Sequence, residues 1–164
     1  MVGDSLHAVC ARIAQHLADG YSRSGGAPCA FGVVGAEGLL ARAPRRTIDC
    51  TLFAYRFAQN QNLRSARPRD LRPRASGDAP PAVLDVHLLL TAWAERADDE
   101  LAVLGWVARE LNGAPRIEYP TPTGLAAADV VADELSLGDV AALWRALALP
   151  LRPSLAYVIR QIAL

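Results

Sequence analysis

The stretch VLDVHLLLTAW, Val83 to Trp93, constrains this chain more than any other. Leu84, Val86, Leu88 and Leu90 recur every second residue and share one face of an extended backbone, while Val83, Asp85, His87, Leu89 and Thr91 share the other. The residues that follow, AERADDELAVLGWVARELNG, change to a helical period. A central strand therefore runs directly into a helix that packs back on it. Ala94, Ala97, Leu101, Leu104, Ala108 and Leu111 form the apolar stripe of that helix. Asp98, Asp99 and Glu100 near its start suit the positive end of the helix dipole, and Asn112 with Gly113 ends it.

Around this unit the remaining elements fall into place. Leu6, Val9, Ile13 and Leu17 stand at helical spacing, with Asp4 or Ser5 to cap the start and Gly20 to end the helix. CAFGVV, Cys29 to Val34, and TIDCTLFAYRF, Thr47 to Phe57, read as strands. In the second, Thr51, Phe53, Tyr55 and Phe57 share one face, and Ile48, Cys50, Leu52 and Ala54 the other, as in a strand covered on both sides. PRIEYPTPTG holds at most a few extended residues, and VVADEL from Val130 reads as a short strand. SLGD, Ser136 to Asp139, has the form of a capping box with Asp in place of Glu, followed by Val140, Leu143, Trp144 and Leu147 at helical spacing until Pro150. SLAYVIRQIAL, Ser154 to Leu164, reads as a closing strand. The order predicts a single α+β domain: a mixed sheet of four to five strands with about three helices packed on it.

Between Ala58 and Ala82 the pattern breaks. AQNQNLRSARPRDLRPRASGDAPPA carries Arg64, Arg67, Arg69, Arg72 and Arg74, four prolines and almost no apolar residue. A connection of this length inside a domain either engages a partner or stays mobile until it does. Arginine forks suit carboxylates and phosphates alike. Without interleaved aromatic residues to stack bases, the stretch suits protein contact better than single-stranded nucleic acid. The acidic clusters Asp98, Asp99, Glu100 and Asp129, Asp133, Glu134 could receive it in a neighbouring copy of the chain.

Composition narrows the function. A formal net charge of zero, from 17 basic and 17 acidic residues, argues against a dedicated nucleic-acid binder. All the basic residues are arginine. No apolar run approaches the roughly 18 residues of a membrane span, and the N-terminus lacks the basic start and apolar block of a signal peptide, so the expected setting is cytoplasmic. Cys10, Cys29 and Cys50 are widely spaced, with no C-x-x-C and no histidine at metal-ligand spacing, and read as small buried hydrophobes.

Catalytic constellations fare poorly. A triad of Ser154, His87 and Asp85 would need the base within hydrogen-bond reach of the hydroxyl, yet Ser154 sits in no G-x-S-x-G elbow, and Asp85 and His87 lie about 7 Å apart along a strand. His7 and His16 are separated by roughly 13 Å along their helix, too far to share an ion. GVVGAEGLL lies between two strands and lacks the lysine and hydroxyl of a P-loop. The sequence points to no catalytic residue, no metal and no cofactor.

Several separated segments together resemble one known family. LFAYRFAQNQNLR, LDVHLLLTAWAE, LAVLGWVARELN and ELSLGDVAALWRALALPLRPSLAYVIRQIAL resemble, in this order and at similar spacing, the tail-terminator or cap proteins of contractile injection systems. These are phage-tail-like devices of the Photorhabdus virulence cassette and antifeeding prophage type. The matching positions are Tyr55, Arg56, Asn60, Leu63 and Arg64; Leu84, Asp85, His87, Leu89 and Leu90; Leu104 and Gly105; and Leu143, Trp144, Arg152, Ser154 and Tyr157. The resemblance implies a non-enzymatic assembly protein. It implies a hexameric ring of the chain itself that caps the distal end of inner tube and sheath, with those proteins as partners and no membrane, in a particle assembled in the cytoplasm that can be released. Arg64, Arg67, Arg69, Arg72 and Arg74 become candidates for contact between subunits or with the sheath. The competing reading is a nucleic-acid-associated accessory protein that lays the same arginines on phosphates; a steep salt dependence of DNA binding distinguishes it.

Overall fold

A computed structural model describes residues 4–41, 47–59, 83–113, 116–121 and 124–163. In chain order its elements are α1 (Asp4–Arg23), β1 (Cys29–Val34), α2 (Ala36–Leu40), β2 (Ile48–Gln59), β3 (Val83–Trp93), α3 (Ala97–Gly113), β4 (Arg116–Thr121), β5 (Gly124–Ala132), α4 (Leu137–Ala146) and β6 (Ser154–Ala163). The strands form one sheet in the order β1-β2-β3-β6-β5-β4, with β1 parallel to β2 and every other pair antiparallel. The α+β class expected from the pattern holds.

The strand count needs correction. Among the described residues there are six strands, not four or five, because Arg116–Thr121 and Gly124–Ala132 pair as a hairpin and β5 joins β6. A fourth helix, α2, follows β1, and β2 runs two residues into the stretch expected to be loop.

The main core lies between one face of the sheet and helices α1 and α3. Val9, Ile13 and Leu17 from α1 and Val103, Val107 and Leu111 from α3 meet Cys50, Leu52, Leu88, Leu90 and Ile159, all essentially inaccessible to water. Each such aliphatic side chain contributes about 1.5–3 kcal/mol on burial. α1 lies against both β1 and β4, the two edges of the sheet, so the sheet curls round it. Gly20 does not end α1; the helix continues to Arg23, and a Cβ at Gly20 would meet the Trp106 ring at 3.1 Å. The glycine lets α1 approach α3. The buried stripe of α3 is Glu100, Val103, Leu104, Val107 and Leu111, turned from the expected one, and Leu101 is 59% exposed.

On the opposite face a smaller cluster of Leu39, Leu89, Trp93 and Trp144 joins α2 and α4 to the sheet. Ser136 caps α4 as predicted: its Oγ accepts the Asp139 N–H at 3.1 Å and donates to Asp139 Oδ2 at 2.6 Å. The aspartate is bound by the serine hydroxyl, where the longer Glu of a full capping box would reach back to the cap's N–H.

Two irregularities re-aim side chains. The β2–β3 register shifts between Ala54 and Arg56, so Phe57 stands opposite core-facing Val86, not on the face of Thr51 and Phe53. The β3–β6 register shifts beside Asp85, where Gln161 takes a left-handed φ of 65° and donates its N–H to Asp85 Oδ1 at 3.0 Å.

Candidate functional site

Tyr55, His87, Trp144, Arg152 and Ser154, among the side chains singled out by the sequence, collect on the α4 side of the sheet, in two polar groups with an aromatic pair beside them, whereas Leu90, Leu104 and Tyr157 belong to the main core. In the first, Asp133, just past β5, brings its Oδ2 within 2.9 Å of His87 Nδ1 and accepts from the Tyr55 hydroxyl at 3.1 Å. The strand order makes this possible: β2, β3, β6 and β5 are neighbours, and Tyr55 and His87 both point to this face. The Tyr55 phenol is pushed up to about 12, first by burial and then by the Asp133 carboxylate it bonds. It therefore holds its proton throughout the neutral range and serves as a fixed donor.

The second group lies at the opposite end of β3. Glu100 Oε1 accepts from Arg152 Nη1 at 2.6 Å and from the Ala94 N–H at 3.2 Å. The Arg152 guanidinium lies over the Trp93 ring, 4.7 Å from its centroid, and Trp93 meets Trp144 edge-on at 6.1 Å. Trp93 Nε1 donates to Thr51 Oγ1 at 2.9 Å, and Thr51 Oγ1 in turn donates to the Thr91 carbonyl at 3.2 Å. One connected set of contacts thus fastens the start of β6, the start of α3 and the helix α4 to the middle of the sheet.

The three residues of the imagined triad do not meet. Ser154 Oγ bonds Thr91 Oγ1 at 2.9 Å and donates to the Arg152 carbonyl at 3.1 Å. Ser154 pairs in register with Thr91 and Val158 with His87, which places the hydroxyl and the imidazole four residues apart along the sheet, about 13 Å. His87 takes its carboxylate from Asp133, and Asp85 is engaged with the Gln161 N–H, so the imagined triad is not assembled. Burial pushes the Cys10 thiol up to about 11, and burial with the Asp49 charge pushes Cys29 to about 12, so neither is an activated nucleophile. Among the described residues no three His, Cys, Asp or Glu side chains are placed to share a metal ion, and no helix is long and apolar enough to cross a membrane.

Arg64, Arg67, Arg69, Arg72 and Arg74 lie outside the described residues, as do Asn60 and Leu63. Of the acidic clusters, Glu100 and Asp133 are consumed internally and exposed Asp98 pairs with Arg96 at 3.1 Å, whereas Asp129 and Glu134 are exposed. The engagement of Asp133 was hidden from sequence reasoning, because it lies 46 residues from His87 and 78 from Tyr55. Shape adds two grooves, one on each side of α1. The groove at β4, about 480 Å³, is lined by Arg12, Arg23 and Arg116 with Asp19 and Glu118; the groove at β1, about 250 Å³, is lined by Phe31, Gly32 and Val33 and by alanines of α1.

The described residues thus form a curled mixed sheet whose polar side chains fasten helices to strands. The chain belongs to the Pvc16 N-terminal domain family, whose model matches residues 9–164. It is similar in fold to the sheath/tube terminator of an extracellular contractile injection system, PVC, in its extended state. That match has a TM-score of 0.56 at 17% identity over 93% of this chain and 56% of the other. It is also similar to the tube-terminating cap of the anti-feeding prophage, with a TM-score of 0.51 at 18% identity over 76% of this chain and 48% of the other. The chain thus spans about half the length of these solved structures. No curated protein matches it.

Proposed function

We propose that this chain is an end-closing structural element of a phage-tail-like contractile injection system. Six copies form a ring on the distal end of inner tube and sheath, stop tail growth there and hold the extended particle, without chemistry of their own. The particle is assembled in the cytoplasm. The observation that carries this reading is the family match over residues 9–164, supported by the likeness of fold to a sheath/tube terminator and to a tube-terminating cap. The packing agrees with it: Glu100, Arg152 and Thr51 are spent on fixing helices to the sheet, and the Cys10 and Cys29 thiols and the Tyr55 phenol are held protonated.

The arginines of residues 64–74 are assigned to contact with a neighbouring subunit or with the sheath. Exposed Asp129 and Glu134 are carboxylates they could meet. Such contacts on a neutral chain bind like subunits without building up net charge.

The test is assembly of the tube and sheath proteins with and without this chain, with tail lengths measured by electron microscopy. A narrow length distribution in its presence and a broad one in its absence is the expected result. Serine at Arg64, Arg67, Arg69, Arg72 and Arg74 should broaden it again, while the isolated protein keeps its fold. Equal distributions with and without the chain would refute the reading.

A further inference from the structure

The two edges of the sheet are built differently. β4 presents exposed Arg116 and Glu118 and carries Pro120, which has no N–H for a further strand. Charge and proline are the usual means of blunting an edge. β1 has neither: CAFGVV contains no charge and no proline, and its register with β2 runs from Cys29 to Val34 without a shift. Among the described residues no strand lies on its outer side. A strand paired on one side only turns about half of its N–H and C=O groups outward, and those groups fit another extended backbone and little else.

The space beside β1 suits the same occupant. The groove between β1 and α1 has Phe31, Gly32 and Val33 on the strand side and the small residues Ala11, Ala14 and Ala18 on the helix side. Val33, which pairs with core-facing Leu52 and so faces α1, is 36% exposed. The polar residues of the lining are His7 and Gln15; it contains no arginine, aspartate or glutamate. A charged side chain entering the groove would lose hydration without gaining a counter-charge, and an apolar one would be covered.

We propose that β1 is a docking edge for an extended, uncharged peptide strand donated by a different chain. The strand adds as a seventh member of the sheet and lays the side chains of one face, every second residue, against Ala11, Ala14 and Ala18. Six residues of strand, about 20 Å, cover the edge. The β4 edge of a second copy is a poor occupant, because it would bring Pro120, Arg116 and Glu118 to the pairing. The docking edge is independent of the end-closing role and stands or falls without it.

The test titrates the full, isotopically labelled chain with a blocked octapeptide of alternating valine and threonine, followed by NMR and amide hydrogen exchange. Saturable shifts and slowed exchange confined to β1 and the facing side of α1 are expected. The same peptide with aspartate for valine should not bind, and Ala18→Glu should weaken binding by at least about tenfold. Ala11→Glu serves in its place should Ala18→Glu fail to fold. The proposal is overturned if β1 shows no saturable response, or if neither glutamate weakens binding. It is also overturned if the free protein proves to be a dimer that Val33→Arg dissociates, since a second copy then occupies the edge.

Discussion

Replacing Glu100 by alanine removes two hydrogen bonds at once from a side chain that is only 11% exposed. The first is the charge-assisted bond from Arg152 at 2.6 Å, and the second is the Ala94 N–H at 3.2 Å. A bond to a charged group is worth about 1.5–3 kcal/mol net and a neutral one about 1 kcal/mol. Arg152 retains 28% side-chain exposure, so water recovers part of its charge and the lower end, about 1.5–2 kcal/mol, applies. Glu100→Ala should therefore cost about 3 kcal/mol. Glu100→Gln keeps an acceptor for the Ala94 N–H and loses only the charge, at about 1 kcal/mol. Arg152→Met leaves the carboxylate without its partner and removes the cation from over Trp93, at about 2 kcal/mol. If the pair acts as a unit, the double variant Glu100→Gln with Arg152→Met costs about 1 kcal/mol less than the two single costs together. Urea unfolding measures all of these, with unchanged slope as the check that the end states are the same. Single costs that add to within about 0.3 kcal/mol would refute the coupling, and with it the idea that this contact joins α3 and β6 as one element.

Three further expectations follow from the packing. Gly20→Ala places a Cβ 3.1 Å from the Trp106 ring, which Tyr21 and Phe31 hold at ring-centroid distances of 5.1 and 6.3 Å; the strain outweighs the gain in helix propensity and destabilises by about 1 kcal/mol in urea. Trp144→Ala empties the smaller core cluster and should cost about 3–5 kcal/mol by the same measurement. The Cys10 thiol is raised from 9.0 to about 11 by burial, so the folded state prefers the neutral form. That contribution is complete below pH 9 and fades as pH rises towards 11, about 1.4 kcal/mol being lost by pH 10. Cys10→Ala should reduce the alkaline loss by that amount between pH 7 and 10, and an unchanged loss would contradict it.

Much of the fold was legible because the strongest signals are local. The alternation of Val83–Trp93, the capped helix after Ser136 and the apolar closing strand each appear where their spacing places them. The β4–β5 hairpin was not, since three prolines in PRIEYPTPTG and the alanines at 126–128 lack strand propensity; pairing with β6 makes β5 a strand. The face of α3 was misjudged because Glu100, a charged residue, turns inward to meet Arg152, and Leu101 turns out. The register shift at Tyr55 leaves no mark in the sequence, yet it decides where Phe57 sits. Of the site, the sequence named Tyr55, His87 and Arg152 as matching positions. Their partners Asp133 and Glu100 stood only among the charged clusters, because the contacts span 46 to 78 residues and depend on strand order.

The end-closing role is tested most directly by imaging contractile particles purified through a tag on this chain. The account predicts sixfold ring density at one end of each extended particle and none along the shaft. Density distributed along the tube or sheath, or ends that look the same in particles made without the chain, would contradict it.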